Sequence, residues 1–259
     1  MIRMPWFLRK ADVAPVPPRH NIPLGERVYA IGDIHGRADL LYQLLDQIAA
    51  DDKARGAADT TLVFLGDLVD RGPTSSEVVD YAMRLAASDV KCVFLMGNHE
   101  ELFLLTCAGD QHVGGTFHRA GGRATLLSYG VDATVYDDCD PHEISALADR
   151  VVPQAHIDFI EGFRDYWVCG DYCFVHAGIR PDVPLEQQTS ADMRWIRNEF
   201  LTSPIDHGLM VIHGHTITQA VDEQYNRIGI DTGAYASGKL TAIGLESGER
   251  WYLQTGAAA

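Results

Sequence analysis

The stretch Thr61-Leu62-Val63-Phe64-Leu65-Gly66-Asp67-Leu68-Val69-Asp70-Arg71-Gly72 decides how this chain is read. Its first five residues form a short run of β-branched, aliphatic and aromatic side chains, which predicts a buried strand. The run stops on glycine and releases two aspartates and an arginine in quick succession. The same plan occurs on either side of it. Val28-Tyr29-Ala30-Ile31 runs into Gly32-Asp33-Ile34-His35-Gly36, and Cys92-Val93-Phe94-Leu95-Met96 runs into Gly97-Asn98-His99-Glu100. Between these strands Leu40, Leu41, Leu44, Leu45 and Ile48 recur at helical spacing. Thr74-Ser75-Ser76-Glu77 fits a capping box that opens a second helix, with Val78, Val79, Ala82 and Leu85 on one side. Two strand–helix–strand units in a row predict an α/β body, a sheet with helices packed on it.

Outward from this core the pattern changes. Glycines interrupt residues 109–150, which are expected to form a mostly helical insertion over one edge of the body. Residues 165–168 and 172–175 read as a strand pair, and 209–212, 227–230, 240–245 and 251–253 as further strands. The second half is therefore β-rich, which adds an α+β character. Cys169 and Cys173 flank Gly170-Asp171, read as a hairpin turn carrying a cross-strand pair of buried thiols. Residues 1–26 hold Pro15, Pro17, Pro18 and Pro23 and are expected to be an arm or linker ahead of one domain at 27–259.

Composition narrows the classes of function. The chain has 259 residues, 46% hydrophobic and 22% charged, ordinary values for a globular protein and far from a disordered or collagen-like one. No apolar run approaches the roughly 18 residues of a membrane span. With 21 basic and 36 acidic residues the net charge is −15, a poor balance for binding nucleic acid through its phosphates, and none is expected. Five cysteines and an opening segment unlike a signal peptide lead to the expectation of a cytoplasmic protein with reduced thiols.

The chemistry sits where the strands end. Besides the three groups above, later strands run into His176-Ala177-Gly178 and His213-Gly214-His215-Thr216. Ligand-binding groups of open α/β sheets gather at the carboxyl ends of strands, so five strand ends can converge on one site. Taken singly, an aspartate and glycine after a strand are turn residues, Asn98 a cap and Arg71 a surface cation. Together, Asp33, His35, Asp67, Asn98, His176 and His215 offer oxygen and imidazole donors without a thiolate, suited to manganese, iron or zinc. Six donors are too many for one ion. A pair of divalent ions about 3.5–4 Å apart holds both the attacking and the leaving oxygen of a phosphoryl displacement.

The motifs GDIHG, GDLVDRG, GNHE, HAG and HGHT, in this order, resemble the PPP family of phosphoprotein phosphatases within the calcineurin-like metallophosphoesterases. Residues 121–130 and 230–235 resemble its bacterial branch. The resemblance implies a central β-sandwich flanked by helices. It also implies that Asp33, His35 and Asp67 hold one metal and that Asp67, Asn98, His176 and His215 hold the second. Arg71, Arg197 and Asn98 would then contact the phosphate, and His99, oriented by Asp70, would protonate the leaving oxygen. Attack would come directly from a metal-bridging hydroxide. His213 stands where eukaryotic members have arginine and is expected to support a metal ligand from behind. Asp231-Thr232-Gly233 replaces the aromatic loop of those members, and no regulatory subunit is expected.

Three functions follow as expectations. The first is a protein serine/threonine phosphatase acting on phosphorylated proteins or small phosphoesters. The second is a symmetrical diadenosine tetraphosphate hydrolase, ranked below because that branch has glutamine where this chain has His35. The third is a silent phosphate-binding protein. His118, Arg119 and Arg123 of the insertion are candidates for a phosphate or acidic peptide, or simply a solvated face.

Overall fold

The computed structural model describes residues 20–110 and 112–256, so most of the expected arm, residues 1–19, lies outside the described residues. The first half alternates as the sequence predicts. In chain order come β1 (Glu26–Ile31), α1 (Ala38–Arg55), β2 (Asp59–Phe64), α2 (Ser75–Ala86), β3 (Lys91–Phe94) and α3 (Asn98–Cys107). The insertion is helical, with α4 (Gly114–Phe117), a wide turn at His118–Gly122, α5 (Arg123–Ser128), α6 (Ala133–Asp137) and α7 (Pro141–Val151). After α8 (Gln154–Glu161) follow β4 (Tyr166–Cys169), β5 (Tyr172–Val175), α9 (Ser190–Trp195), α10 (Asn198–Leu201) and β6 (Met210–His213). The chain ends with β7 (Asp222–Glu223), β8 (Arg227–Gly229), α11 (Ala234–Ser237), β9 (Thr241–Glu246) and β10 (Glu249–Gln254). The two-residue β7 has no counterpart in the sequence reading, being too short to carry a period.

The strands form two mixed five-stranded sheets, in the orders β10-β9-β1-β2-β3 and β4-β5-β6-β8-β7. Strands β1, β2 and β3 pair in parallel, as do β5, β6 and β8, while β9 runs antiparallel to both β1 and β10, β4 to β5 and β7 to β8. Alternation along β1 shows how the layers are built. Val28 and Ala30 join Val63, Phe174, Ile212, Ile228 and Ile243 between the sheets. Tyr29 and Ile31 point the other way, into a core with Leu41, Leu44, Phe64, Val78 and Val79 of the first sheet and its helices. A strand buried on both faces reads as a continuous apolar run, and this is why residues 28–31 and 61–65 are visible in sequence. A third cluster joins Cys173, Val175 and Val211 to Met193, Ile196 and Phe200 on the outer face of the second sheet. Ile22 is also buried between the sheets, and its N–H donates to Ser247 O at 3.0 Å.

Two local expectations are corrected. Thr74 precedes α2, but its hydroxyl does not cap that helix. Its Oγ1 donates to Gly36 O at 2.7 Å and accepts the Ala38 N–H at 3.1 Å, so it serves the first turn of α1. Thr74 N–H also donates to Gly36 O, so the 72–74 loop is pinned to the loop ahead of α1 and the nearer donor wins. Cys169 and Cys173 are not a cross-strand pair. The register sets Val168 opposite Cys173 and Cys169 opposite Tyr172, so the two thiols face opposite sides of the sheet.

Candidate metal centre

The motif residues come together at the carboxyl ends of β1, β2, β3, β5 and β6. Their loops are tight. His35, Asp67, Asp70, Arg71 and His215 all have positive φ, between 47° and 72°, a left-handed backbone that costs non-glycine residues about 1–3 kcal/mol each. Only two other non-glycine residues among those described share it, Asp182 and Ser247. Strain concentrated in this way turns consecutive side chains toward one point. Two glycines make room for it. A Cβ on Gly97 would collide with Asp67 Oδ1, and one on Gly214 with Asp33 Oδ1.

Asp67 is the hub. One of its oxygens lies 3.5 Å from His35 Nε2, and the other lies 3.3 Å from His176 Nε2 and accepts the His99 N–H at 3.1 Å. Ligand atoms of His35, Asp67 and His99 lie within 4.8 Å of one another, as do those of Asp67, His176 and His215. Asp67 is thus common to two three-residue clusters, the position of a bridging carboxylate. Each imidazole is aimed from behind: His35 Nδ1 bonds Val69 O and His176 Nδ1 bonds Leu65 O, both at 2.8 Å, leaving Nε2 toward the site. Asn98 Oδ1 lies 3.1 Å from His176 Nε2. Asp33 stands beside these clusters rather than within them, its carboxylate accepting the His215 N–H at 3.0 Å.

The electrostatics fit divalent cations. Burial pushes the His35 imidazole down to about 3 and lowers His176 and His215, so all three are neutral at neutral pH, the form in which an imidazole can bind a metal. Burial alone would raise Asp67, but His176, His99, His35 and His215 around it hold its carboxyl well below the usual range. Asp33, Asp67, Asp70, Glu100 and Asp231 are all buried, a concentration of carboxylates that needs positive charge nearby. Burial and neighbouring carboxylates raise Asp33 well above its ordinary value and push Asp231 up to about 6. Among the described residues, the buried atoms His35 Nε2, His215 Nε2 and Asp231 Oδ2 have no hydrogen-bond partner. Neutral imidazoles with free Nε2 atoms, clustered on a shared carboxylate, are a donor set for two metal ions.

The residues expected to supply the acid and the phosphate contacts stand beside this cluster. His99 Nδ1 lies 2.7 Å from Asp70 Oδ2, and Asp70 Oδ1 accepts the Thr125 hydroxyl at 2.6 Å. Burial lowers the His99 imidazole, but the Asp67 and Asp70 carboxylates outweigh it and hold it above its ordinary value. Arg71 Nη2 donates to His99 Nε2 at 3.0 Å, and the same guanidinium lies 4.9 Å from the Tyr235 ring centre. Arg197 is exposed at the head of α10 and lowers both His176 and His215 through its charge.

Several residues of the site were not assigned from sequence. Glu100 accepts four backbone N–H groups, from Asp67, Leu68, Val69 and Gly97, at 2.7–3.3 Å. It ties the GDLVDRG loop to the start of α3, and burial pushes its carboxyl up to about 7. Its place in the GNHE motif was the available signal. Asp231 and Tyr235 were visible only as part of a family-like stretch. His213 does not support a metal ligand as expected. Its Nδ1 meets Gly214 O at 3.0 Å, its Nε2 faces Arg227 at 3.4 Å, and its ring packs on Phe200. His118, Arg119 and Arg123 do not join the centre; Arg123 pairs with Asp137 and Arg119 bonds Thr116.

A double-layered β-fold that carries paired His/Asp clusters at its strand ends defines a metallophosphoesterase, and the chain belongs to the calcineurin-like phosphoesterase family, which residues 26–224 match. Among curated proteins, it is 26% identical over 241 residues to the asymmetrical bis(5'-nucleosyl)-tetraphosphatase PrpE of Halalkalibacterium halodurans, covering 82% of this chain and 87% of that one. It is 31% identical over 155 residues to the symmetrical bis(5'-nucleosyl)-tetraphosphatase of Dechloromonas aromatica, covering 59% and 44%. The fold is similar to the crystal structure of a candidate diadenosine tetraphosphatase (TM-score 0.62, 21% identity, 92% of this chain and 100% of that chain). It is also similar to the cold-active protein-tyrosine phosphatase of a psychrophilic Shewanella (TM-score 0.55, 18% identity, 92% and 82%).

Proposed function

We propose that this protein hydrolyses a phosphoanhydride bond of bis(5'-nucleosyl) tetraphosphates. One observation carries the reading: the relative it matches over most of both chains is named for that reaction. The ordered motifs resemble phosphoprotein phosphatases and His35 speaks against the symmetrical hydrolase branch, but motifs that either reaction could use weigh less than similarity across the length. In this reading Asp33, His35 and Asp67 hold one divalent ion and Asp67, Asn98, His176 and His215 the other. Bound there, two ions, with manganese the first choice, supply Lewis acidity and a water of lowered pKa.

The protein's own groups do the rest. Arg71 and Arg197 hold phosphoryl oxygens, Arg71 through a planar fork that can bind two at once. Asn98 adds an amide contact. Arg71 donates to His99 Nε2, so that nitrogen is an acceptor and the ring proton sits on Nδ1 toward Asp70. A phosphate that draws the guanidinium away frees Nε2, and the neighbouring carboxylates favour its taking up a proton. That proton passes to the oxygen leaving phosphorus. Incubating the manganese-loaded protein with diadenosine tetraphosphate and separating the products tests this. ATP plus AMP is expected; two ADP would shift the cut to the symmetrical position, and no nucleotide product would contradict the reading.

A second reading, a protein serine/threonine phosphatase, is favoured by the His99–Asp70 pair. A serine alkoxide is a poor leaving group and needs a strong proton donor far more than a phosphate leaving group does.

A further inference from the structure

An open cleft of about 720 Å³ runs from Arg71 past Tyr235, Pro73 and Arg37 to Tyr42 and Glu77. It begins at the phosphate-binding arginine and leads away from the metal ligands. Tyr235 forms its inner wall, with 36% of its surface exposed. Its ring meets the His35 imidazole edge-on at 5.5 Å, and Arg71 lies over it. The ring is held in place. Arg37 Nη1 donates to Ala234 O at 3.1 Å, and Gly233 and Gly238, both with φ near +70°, bracket the turn that carries Tyr235.

Charge decides what this cleft accepts. Arg37 grips both Asp39 oxygens at 2.7–2.8 Å, and Glu77 accepts the Tyr42 hydroxyl at 2.9 Å. Beyond Arg71, therefore, the cleft offers no spare cation for a further phosphate or an acidic peptide. What it offers is aromatic and ring surface from Tyr235, Tyr42 and Pro73. We propose that this cleft is a nucleoside subsite in which a base stacks on Tyr235 while Arg71 holds the adjoining phosphate. The inference rests on the nucleoside-polyphosphate reading and names the part of the substrate that sets its specificity. Base–aromatic stacking is worth roughly 5- to 150-fold in affinity.

The test compares wild type with Tyr235→Leu, which keeps bulk without a π-face, and Tyr235→Phe, which keeps the face. Two readouts are taken: kcat/KM for diadenosine tetraphosphate relative to inorganic tripolyphosphate, and equilibrium binding of AMP. The ratio is expected to fall about tenfold or more in Tyr235→Leu and to recover in Tyr235→Phe, with AMP binding weakened in parallel. An unchanged ratio and unchanged AMP binding in Tyr235→Leu would overturn the subsite even if the dinucleotide is cleaved. AMP binding that depends on Tyr235 in a protein that leaves the dinucleotide intact would keep the subsite and overturn the reaction.

Discussion

His99 carries the sharpest prediction among single residues. His99→Ala is expected to lower turnover of phosphoserine substrates by about 10²–10⁴-fold and that of nitrophenyl phosphate far less, since nitrophenolate leaves without a proton. Equal losses on both would remove His99 from the acid role. Its pH behaviour follows from its partners. In the proposed acid role the protonated ring is the active form, and the carboxylates of Asp67 and Asp70 raise its pKa above the ordinary value against the effect of burial. The alkaline limb of kcat/KM should therefore lie above ordinary imidazole titration. Asp70→Asn removes one raising charge and should move that limb to lower pH; a limb that stays in place would assign it to another group. Asp67→Asn should weaken both metals together, because both three-residue clusters contain Asp67; two tightly bound ions in that variant would contradict the bridging position. These residues were legible in sequence because each follows an apolar strand directly. Asp231 and Tyr235 were not, because their significance lies in contacts with Asp33, His35 and Arg71, far away in the chain.

Elements place these residues through their ends rather than their middles. The start of α3 shows how. Glu100 in its first turn collects four N–H groups from two loops, which no propensity or period reveals. Glu100→Gln puts an amide NH₂ in place of one accepting oxygen and leaves buried donors unpaired, expected to cost about 1–3 kcal/mol in urea unfolding. A change below 0.5 kcal/mol would mean the loops hold without it. Strands buried on both faces were readable as unbroken apolar runs. Thr74 matches a helix-start pattern for α2, yet its hydroxyl serves the start of α1, because a hydroxyl bonds whichever helix start it reaches in space. Cys169 and Cys173 lie on opposite faces because register, not sequence spacing, sets which residues share a face.

For the molecule as a whole, two sheets bring together candidate ligands that lie up to 182 residues apart, such as Asp33 and His215. The order of five motifs made the fold readable, while substrate identity depends on the surface around them. Metal should join the halves energetically as well as spatially. Buried carboxylates and free imidazole nitrogens line the junction, so chelation should lower the melting temperature and manganese restore it, with about 4 kcal/mol available at a thousandfold excess over Kd. A melting temperature indifferent to chelator would contradict a paired-metal centre. The central claim concerns the substrate, and its most direct test is a pair of rate constants. After chelation and reloading with manganese, kcat/KM is measured for diadenosine tetraphosphate and for a phosphothreonine peptide under the same conditions. The account predicts a large preference for the dinucleotide; a large preference for the peptide would contradict it and make the protein a phosphoprotein phosphatase.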